Sequence, residues 1–218
     1  MNEIKGVIFD LWNTLIQPIH HDHGLKLLKN IYGVRGTTRK QISKELMINP
    51  TNNLEEMTEL IKDKFGLERP SNKDFERMDY RFKQDNIEVG LFLEVIPTLQ
   101  YLKENNIKIA LISNAATIHK EPFYNFGLDQ YFDYTCFSCD VGLWKPDKEI
   151  YQLTLDKIGL KPEEVIMTGD HFYKDGEAPR TLGIQGLHLD RFEERPRTPH
   201  RIESLYELTE IINYQSNR

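Results

Sequence analysis

Hydrophobic residues gather in short unbroken runs at 6–9, 107–112, 165–168 and 186–189, each followed by polar or glycine-rich residues. Each run has the length of a buried strand, and continuous apolar character suits a parallel strand covered on both faces. Amphipathic stretches at 95–104, 149–158 and 175–182 lie between or after them. Strand alternating with helix predicts an α/β fold built on a doubly wound parallel sheet. In such a sheet ligands sit beyond the carboxyl ends of the strands.

From about residue 17 to about residue 90 the alternation stops, and no run reads as a buried strand. Residues 24–32, 38–47, 54–65 and 72–86 read as helices instead, the last three preceded by the capping residues Thr37, Asn53 and Ser71. The pattern predicts two units: a core made of 1–16 and 92–218, and a helical domain inserted over 17–91. There is no internal repeat and no low-complexity tract.

Composition narrows the function. The 218 residues suffice for a core domain plus a small insertion, and the 39% of hydrophobic residues can fill both. A formal net charge of −6 and the lack of a long basic run argue against a nucleic-acid partner, because phosphate backbones are held by clustered Lys and Arg. The arginine-rich segment 191–201 is offset by Asp190, Glu193 and Glu194, and reads as a solvated loop before a last strand. No apolar run approaches the roughly 20 residues of a membrane span. The chain enters its first strand almost at once, which argues against a signal peptide and for a cytoplasmic location. Cys136 and Cys139 form a C-x-x-C without the second ligand pair of a structural zinc site. Tyr134, Phe137 and Ser138 around them read as strand, so two reduced thiols, in the core or half-buried, are expected.

The strand ends carry the chemistry. The first strand runs into Phe9-Asp10-Leu11-Trp12-Asn13-Thr14-Leu15, and the second into Ser113-Asn114. A loop carries Trp144-Lys145-Pro146-Asp147, and a later strand ends in Thr168-Gly169-Asp170, with Asp175 five residues on. A parallel sheet brings all of these to one edge. Asp10, Asp170 and Asp175 would then face a single positive charge on Lys145, an arrangement that repels phosphate and raises carboxylate pKa values. A bound divalent cation removes the conflict, and clustered oxygen ligands beside a phosphate favour Mg²⁺.

This set resembles the haloacid dehalogenase (HAD) superfamily along the whole chain. The family pattern is D-x-D-x-T after strand one, Ser or Thr after strand two, a distant Lys, then G-D-x(3–4)-D. Here it is met by Asp10 to Thr14, Ser113, Lys145, and Gly169-Asp170 with Asp175. The resemblance implies a Rossmann-like core with a helical cap that closes over the site and selects substrate. It implies a Mg²⁺-dependent phosphatase that acts on a small phosphorylated metabolite through an aspartyl-phosphate on Asp10. Ser113 would hold a phosphoryl oxygen, helped by the Asn114 N–H and by Thr14, and Lys145 would neutralise charge. Asp10, Asp170, Asp175 and the backbone carbonyl of Trp12 would form the metal site. Arg39, Arg77, Tyr80, Arg81 and Phe82 are possible cap contacts, with an ordinary helix surface as the default reading.

One position departs from the pattern. Most family phosphatases carry a second Asp two residues after the nucleophile, where it protonates the leaving oxygen and then activates water. Here it is Trp12, and an indole cannot shuttle a proton near neutral pH. Four readings follow. The substrate has a leaving group that needs no proton, such as an aryl or acyl phosphate. Or another residue substitutes, among His20, His21, His23 and His119; Asp22 stands in the same cluster, which otherwise reads as a solvated hinge. Or the reaction is that of the family's haloacid dehalogenases, which carry an aromatic residue at this point but work without metal and lack the Gly-Asp kept here. Or the chain binds a phosphometabolite without turnover.

Overall fold

The computed structural model describes residues 3–20, 23–192, 196 and 198–216. The first strand, β1 (Gly6–Phe9), is wholly buried. It leads into a tight turn and β2 (Ile16–Pro18). Four helices follow: α1 (Gly24–Ile31), α2 (Gly36–Ile48), α3 (Leu54–Phe65) and α4 (Asn72–Ile87). The chain returns through β3 (Val89–Leu91), which pairs antiparallel with β2. The entry and exit of the helical segment are thus a two-stranded ribbon, where sequence reading found no strand. Three residues per strand are too few to show a period.

Beyond the ribbon come α5 (Val95–Glu104), β4 (Lys108–Ser113), the short α6 (Glu121–Asn125), β5 (Tyr134–Phe137), the single turn α7 (Ser138–Val141) and α8 (Lys148–Ile158). Then follow β6 (Val165–Gly169), a π-helical turn (Phe172–Glu177), α9 (Ala178–Arg180), β7 (Gln185–Leu189), β8 (Arg201–Ile202) and α10 (Leu205–Ser216). The order β5-β4-β1-β6-β7-β8 makes one sheet, and every pairing in it is parallel. The helix expected at 175–182 starts earlier, as the π turn, and its regular part ends at Arg180. Pro179 sits in the first turn of α9, where its missing N–H costs nothing.

Alternation along the strands sorts side chains onto the two sheet faces. Val7 and Phe9 pack with Ile109 and Leu111 against Leu99 of α5 and Leu208 of α10. Ile8, between them in sequence, packs with Ala110, Ile112 and Met167 against Ile150 and Leu155 of α8. Burying each such side chain contributes roughly 1.5–3 kcal/mol. Both faces are covered, which is why the strands read as unbroken apolar runs.

The four inserted helices enclose an apolar cluster of their own, built on Leu28, Ile42, Leu46, Met57, Ile61 and Phe82. Asn53 and Ser71 cap α3 and α4 through their side chains, as their residue types predict. Thr37 does not cap α2. That helix begins at Gly36, and Arg35 at the cap position makes no side-chain bond. The N-terminus of α1 is satisfied from elsewhere: the Gly24 N–H donates to Asp85 of α4 at 2.6 Å. The helices also reach the carboxyl edge of the sheet. Ser138 Oγ donates to Met47 O at 2.5 Å, the Thr51 N–H to Thr117 Oγ1 at 3.2 Å, and Asn86 Nδ2 to Ile118 O at 2.7 Å.

The arginine-rich segment lies partly outside the described residues, which lack 193–195 and 197. It does precede a last strand, β8. Arg191 and Arg201 are held by Glu94 and by Asp190. Both cysteines are buried and free, and burial pushes both thiols up from their ordinary pKa. Among the described residues no helix is long and apolar enough to cross a membrane.

Candidate active site

β1 ends where its neighbours end, so the residues just past β1, β4 and β6 meet at one edge. Asp10 follows β1, and its N–H donates to Thr168 O of β6 at 3.0 Å, which fixes the backbone at the turn. Lys145 reaches in from the loop before α8. Its Nζ lies 2.6 Å from Asp10 Oδ1 and 2.7 Å from Asp175 Oδ1, with only 2% of its side chain exposed. Asp10, Asp170 and Asp175 can each bring a carboxylate oxygen within 4.8 Å of the others.

The turn after β1 is held by its own side chains. Thr14 Oγ1 donates to Asp10 Oδ2 at 3.3 Å and accepts the Asp170 N–H at 3.2 Å. Asn13 adopts a left-handed conformation, φ 59°, and its amide donates to Asp170 Oδ2 at 3.2 Å. Asn is one of the few residue types that tolerate this region. Gly169 makes the close packing feasible, because a Cβ there would overlap the Asp175 carboxylate and stand 2.7 Å from Asp10 Cβ. Asp175 Oδ2 also accepts the His171 N–H at 3.0 Å, which places the carboxylate across the first turn of the π segment.

Three of the predicted residues stand at the margin of this cluster. Ser113 is buried at the end of β4, and its Oγ has no hydrogen-bond partner among the described residues. An orphaned buried hydroxyl costs free energy unless something else satisfies it. Asn114 points its side chain away from the carboxylates. Its Nδ2 donates to Lys145 O and its Oδ1 accepts from Lys145 N, both at 2.8 Å, so it pins the backbone that carries the lysine. Trp12 is half-buried at the turn, and its ring meets the His119 ring edge-on at 6.1 Å.

The electrostatics follow from burial. Desolvation pushes Asp10 up to about 7 although Lys145 pulls it down, and Asp175 and Asp170 add to the rise. Asp170 is raised for the same reason: burial first, then the Asp175 charge. The carboxylates hold Lys145 above its ordinary value in spite of its burial. A buried site with more carboxylate than ammonium charge lacks a positive group. Its oxygen-only donor set fits a hard divalent ion such as Mg²⁺.

Among the suggested histidines, only His119 is both buried and beside Trp12; its Nε2 lies 3.4 Å from Asp85 Oδ2. His20 is exposed, 3.8 Å from Glu88. His21 and Asp22 lie outside the described residues. Of the cap contacts considered from sequence, Arg81 lines a cavity beside the site. Arg39 bonds Asn30, Arg77 bonds Asp74, Tyr80 points to solvent, and Phe82 is core. Sequence reading missed Asn13 as a partner of Asp170, Asn114 as the anchor of Lys145, and Asp85 as a buried hub. An Asn just after a strand end is a legible signal for a left-handed turn. Asp85 was passed over because α4 as a whole is rich in charge, although it shares the buried face with Met78 and Phe82.

Comparison with known proteins agrees with this geometry. The family model described as haloacid dehalogenase-like hydrolase matches residues 4–183. A glyceraldehyde 3-phosphate phosphatase of Methanocaldococcus jannaschii is 31% identical over 137 residues, which are 58% of this chain and 60% of that protein. One from Methanothermobacter thermautotrophicus is 28% identical over 84% of each chain. Among solved structures, a HAD phosphatase from Thermococcus onnurineus superposes with a TM-score of 0.64 at 22% identity, covering 96% of this chain and 98% of that one. A dehalogenase with an intermediate complex gives a TM-score of 0.65 at 20% identity, covering 97% and 98%. The fold alone therefore does not separate the two chemistries. With the four motif positions converging on one buried edge and the family model spanning most of its length, this chain belongs to the haloacid dehalogenase-like hydrolases.

Proposed function

We propose that this hydrolase is a Mg²⁺-dependent phosphatase of small phosphorylated metabolites, working through a covalent aspartyl-phosphate on Asp10. The observation that carries the reading is the acidic trio Asp10, Asp170 and Asp175 around one buried Lys145. A dehalogenase has no use for that many carboxylates beside its nucleophile. The relatives named as sugar and amino-acid phosphatases support the same class.

Asp10, Asp170, Asp175 and the Trp12 carbonyl would hold the ion, which supplies positive charge to the phosphoryl oxygens and the nucleophile. Asp10 attacks phosphorus. A bond forms from its carboxylate oxygen to phosphorus, and the ester P–O bond breaks, with the electron pair leaving on the alcohol oxygen. Water then attacks phosphorus, releasing inorganic phosphate and restoring Asp10. The Ser113 hydroxyl, orphaned among the described residues, donates to a phosphoryl oxygen, and the Asn114 N–H assists. Lys145 holds Asp10 in place and neutralises charge as the phosphoryl group arrives. Thr14 orients the second oxygen of Asp10 at the substrate side. The four helices, seated on their own apolar cluster within residues 17–91 and joined to the core by the β2–β3 ribbon, act as a cap over the site.

The test is a panel of phosphate esters and 2-haloacids assayed with magnesium and with excess chelator. Phosphate release that needs magnesium and is absent from Asp170→Ala supports the reading. Halide release that persists in chelator overturns it.

A further inference from the structure

A cavity of about 200 Å³ opens between the sheet edge and the inserted helices, lined by Trp12, Asn13 and Asn114 on the sheet side. Asn13 bonds Asp170 and Asn114 bonds Lys145, so the cavity abuts the acidic cluster directly. A phosphoryl group at Asp10 would direct the rest of its molecule into this space. The cavity therefore reports what the leaving group is.

Its two sides differ. One is apolar: Trp12 from the turn after β1, Leu25 of α1 and Met47 of α2. The other carries charge from α4 and its end: Arg81, Asp85 and Glu88. Arg81 Nε donates to Asp85 Oδ1 at 3.0 Å, and its Nη2 donates to Glu88 Oε2 at 2.8 Å. The single guanidinium is thus engaged by two carboxylates. Asp85 is held ionised: burial alone would raise its pKa, but bonds from His119, the Gly24 N–H and Arg81 outweigh burial and lower it. His23 and His119 complete the polar side; His119 Nε2 lies 3.4 Å from Asp85 Oδ2, and neither histidine brings a further carboxylate. With the histidines neutral, the carboxylates of Asp85 and Glu88 against the one guanidinium of Arg81 leave this wall negative, and the aromatic Trp12 lines the same cavity.

Resting on the phosphatase reading above, we infer that the cavity is a leaving-group pocket. It takes the flat, uncharged or cationic alcohol part of a phosphate monoester and rejects one bearing a carboxylate or a second phosphate. The apolar wall gains by burying a ring or short hydrocarbon. The Arg81–Asp85–Glu88 set repels an anion, because its one cation is already committed.

Three aryl phosphates of similar size and leaving-group acidity test this: 4-methylphenyl, 4-(aminomethyl)phenyl and 4-(carboxymethyl)phenyl phosphate. The expected result with magnesium is kcat/KM at least tenfold higher for the first two than for the carboxylate. Glu88→Gln removes one wall charge and should narrow that ratio severalfold, with inhibition by inorganic phosphate unchanged. Equal rates for the three, a preference for the carboxylate, or an unaltered ratio in Glu88→Gln would overturn the inference. If none of the three turns over, the phosphatase reading fails by itself. Calorimetric titration of the three esters into the magnesium-loaded protein then decides the pocket. The same ranking of affinities upholds it, and equal or absent binding rejects it.

Discussion

At the scale of single residues, Trp12 and Asp10 set the chemistry. Trp12 stands where a proton shuttle would be, and general acid–base catalysis is typically worth about 10²–10⁴ in rate. Aryl and acyl phosphates should therefore exceed alkyl phosphates in kcat/KM by about that factor. Trp12→Asp should raise alkyl turnover more than aryl turnover, and a panel graded by leaving-group pKa reads both effects. Brisk alkyl turnover by the wild type would point to a substitute acid. His119 is then the first residue to mutate, because among the described histidines it alone is buried beside Trp12. Asp10 gives a prediction in pH. Its folded pKa, near 7, lies above the ordinary 3.8, so the folded metal-free protein holds a proton there that the unfolded chain releases. That contribution to stability is complete below about 3.8 and is lost as pH rises through about 7. In chelator, urea unfolding should show stability falling from pH 5 to pH 8. Magnesium displaces the proton, so the metal-induced rise in Tm should be larger at pH 8 than at pH 5.5. A metal-induced rise that does not change with pH would contradict this placement of Asp10.

At the scale of elements, legibility followed periodicity and length. β1, β4, β6 and β7 could be read because both faces of each are covered, which leaves an unbroken apolar run. The ribbon strands β2 and β3 are three residues long and carry Pro18 and Gly90, so no pattern marks them. The caps of α3 and α4 were legible because Asn53 and Ser71 bond N–H groups three residues ahead. The start of α2 was not, since Gly36 enters the helix with positive φ and leaves Thr37 inside it. Asn53→Ala and Ser71→Ala should each cost about 1 kcal/mol of stability, measurable in urea, with little effect on kcat. A loss of activity without a loss of stability would mean that these helix ends touch the site. The motif residues just past β1, β4 and β6 were legible because a parallel sheet brings strand ends together whatever their separation in sequence. The residues that hold them in place were hidden. Asn114 acts through the backbone of a residue 31 positions away, a pairing that no local pattern encodes.

At the scale of the whole molecule, the sheet fixes Asp10, the proposed nucleophile, and the inserted helices stand beside it. β1 lies at the centre of the strand order, so Asp10 has β4 with Ser113 on one side and β6 with Asp170 on the other. Contacts from α2, the α2–α3 loop and α4 to the sheet edge, at Ser138, Thr117 and Ile118, bring the helical segment down against that site. The proposed covalent step on Asp10 joins these parts into one account. The most direct measurement is mass spectrometry of the enzyme quenched in acid during turnover of an activated aryl phosphate. The account predicts a phosphoryl group on the peptide containing Asp10 when magnesium is present, and none in chelator or in Asp10→Asn. Steady phosphate release with no phosphoryl group on Asp10, or wild-type rates from Asp10→Asn, would contradict it.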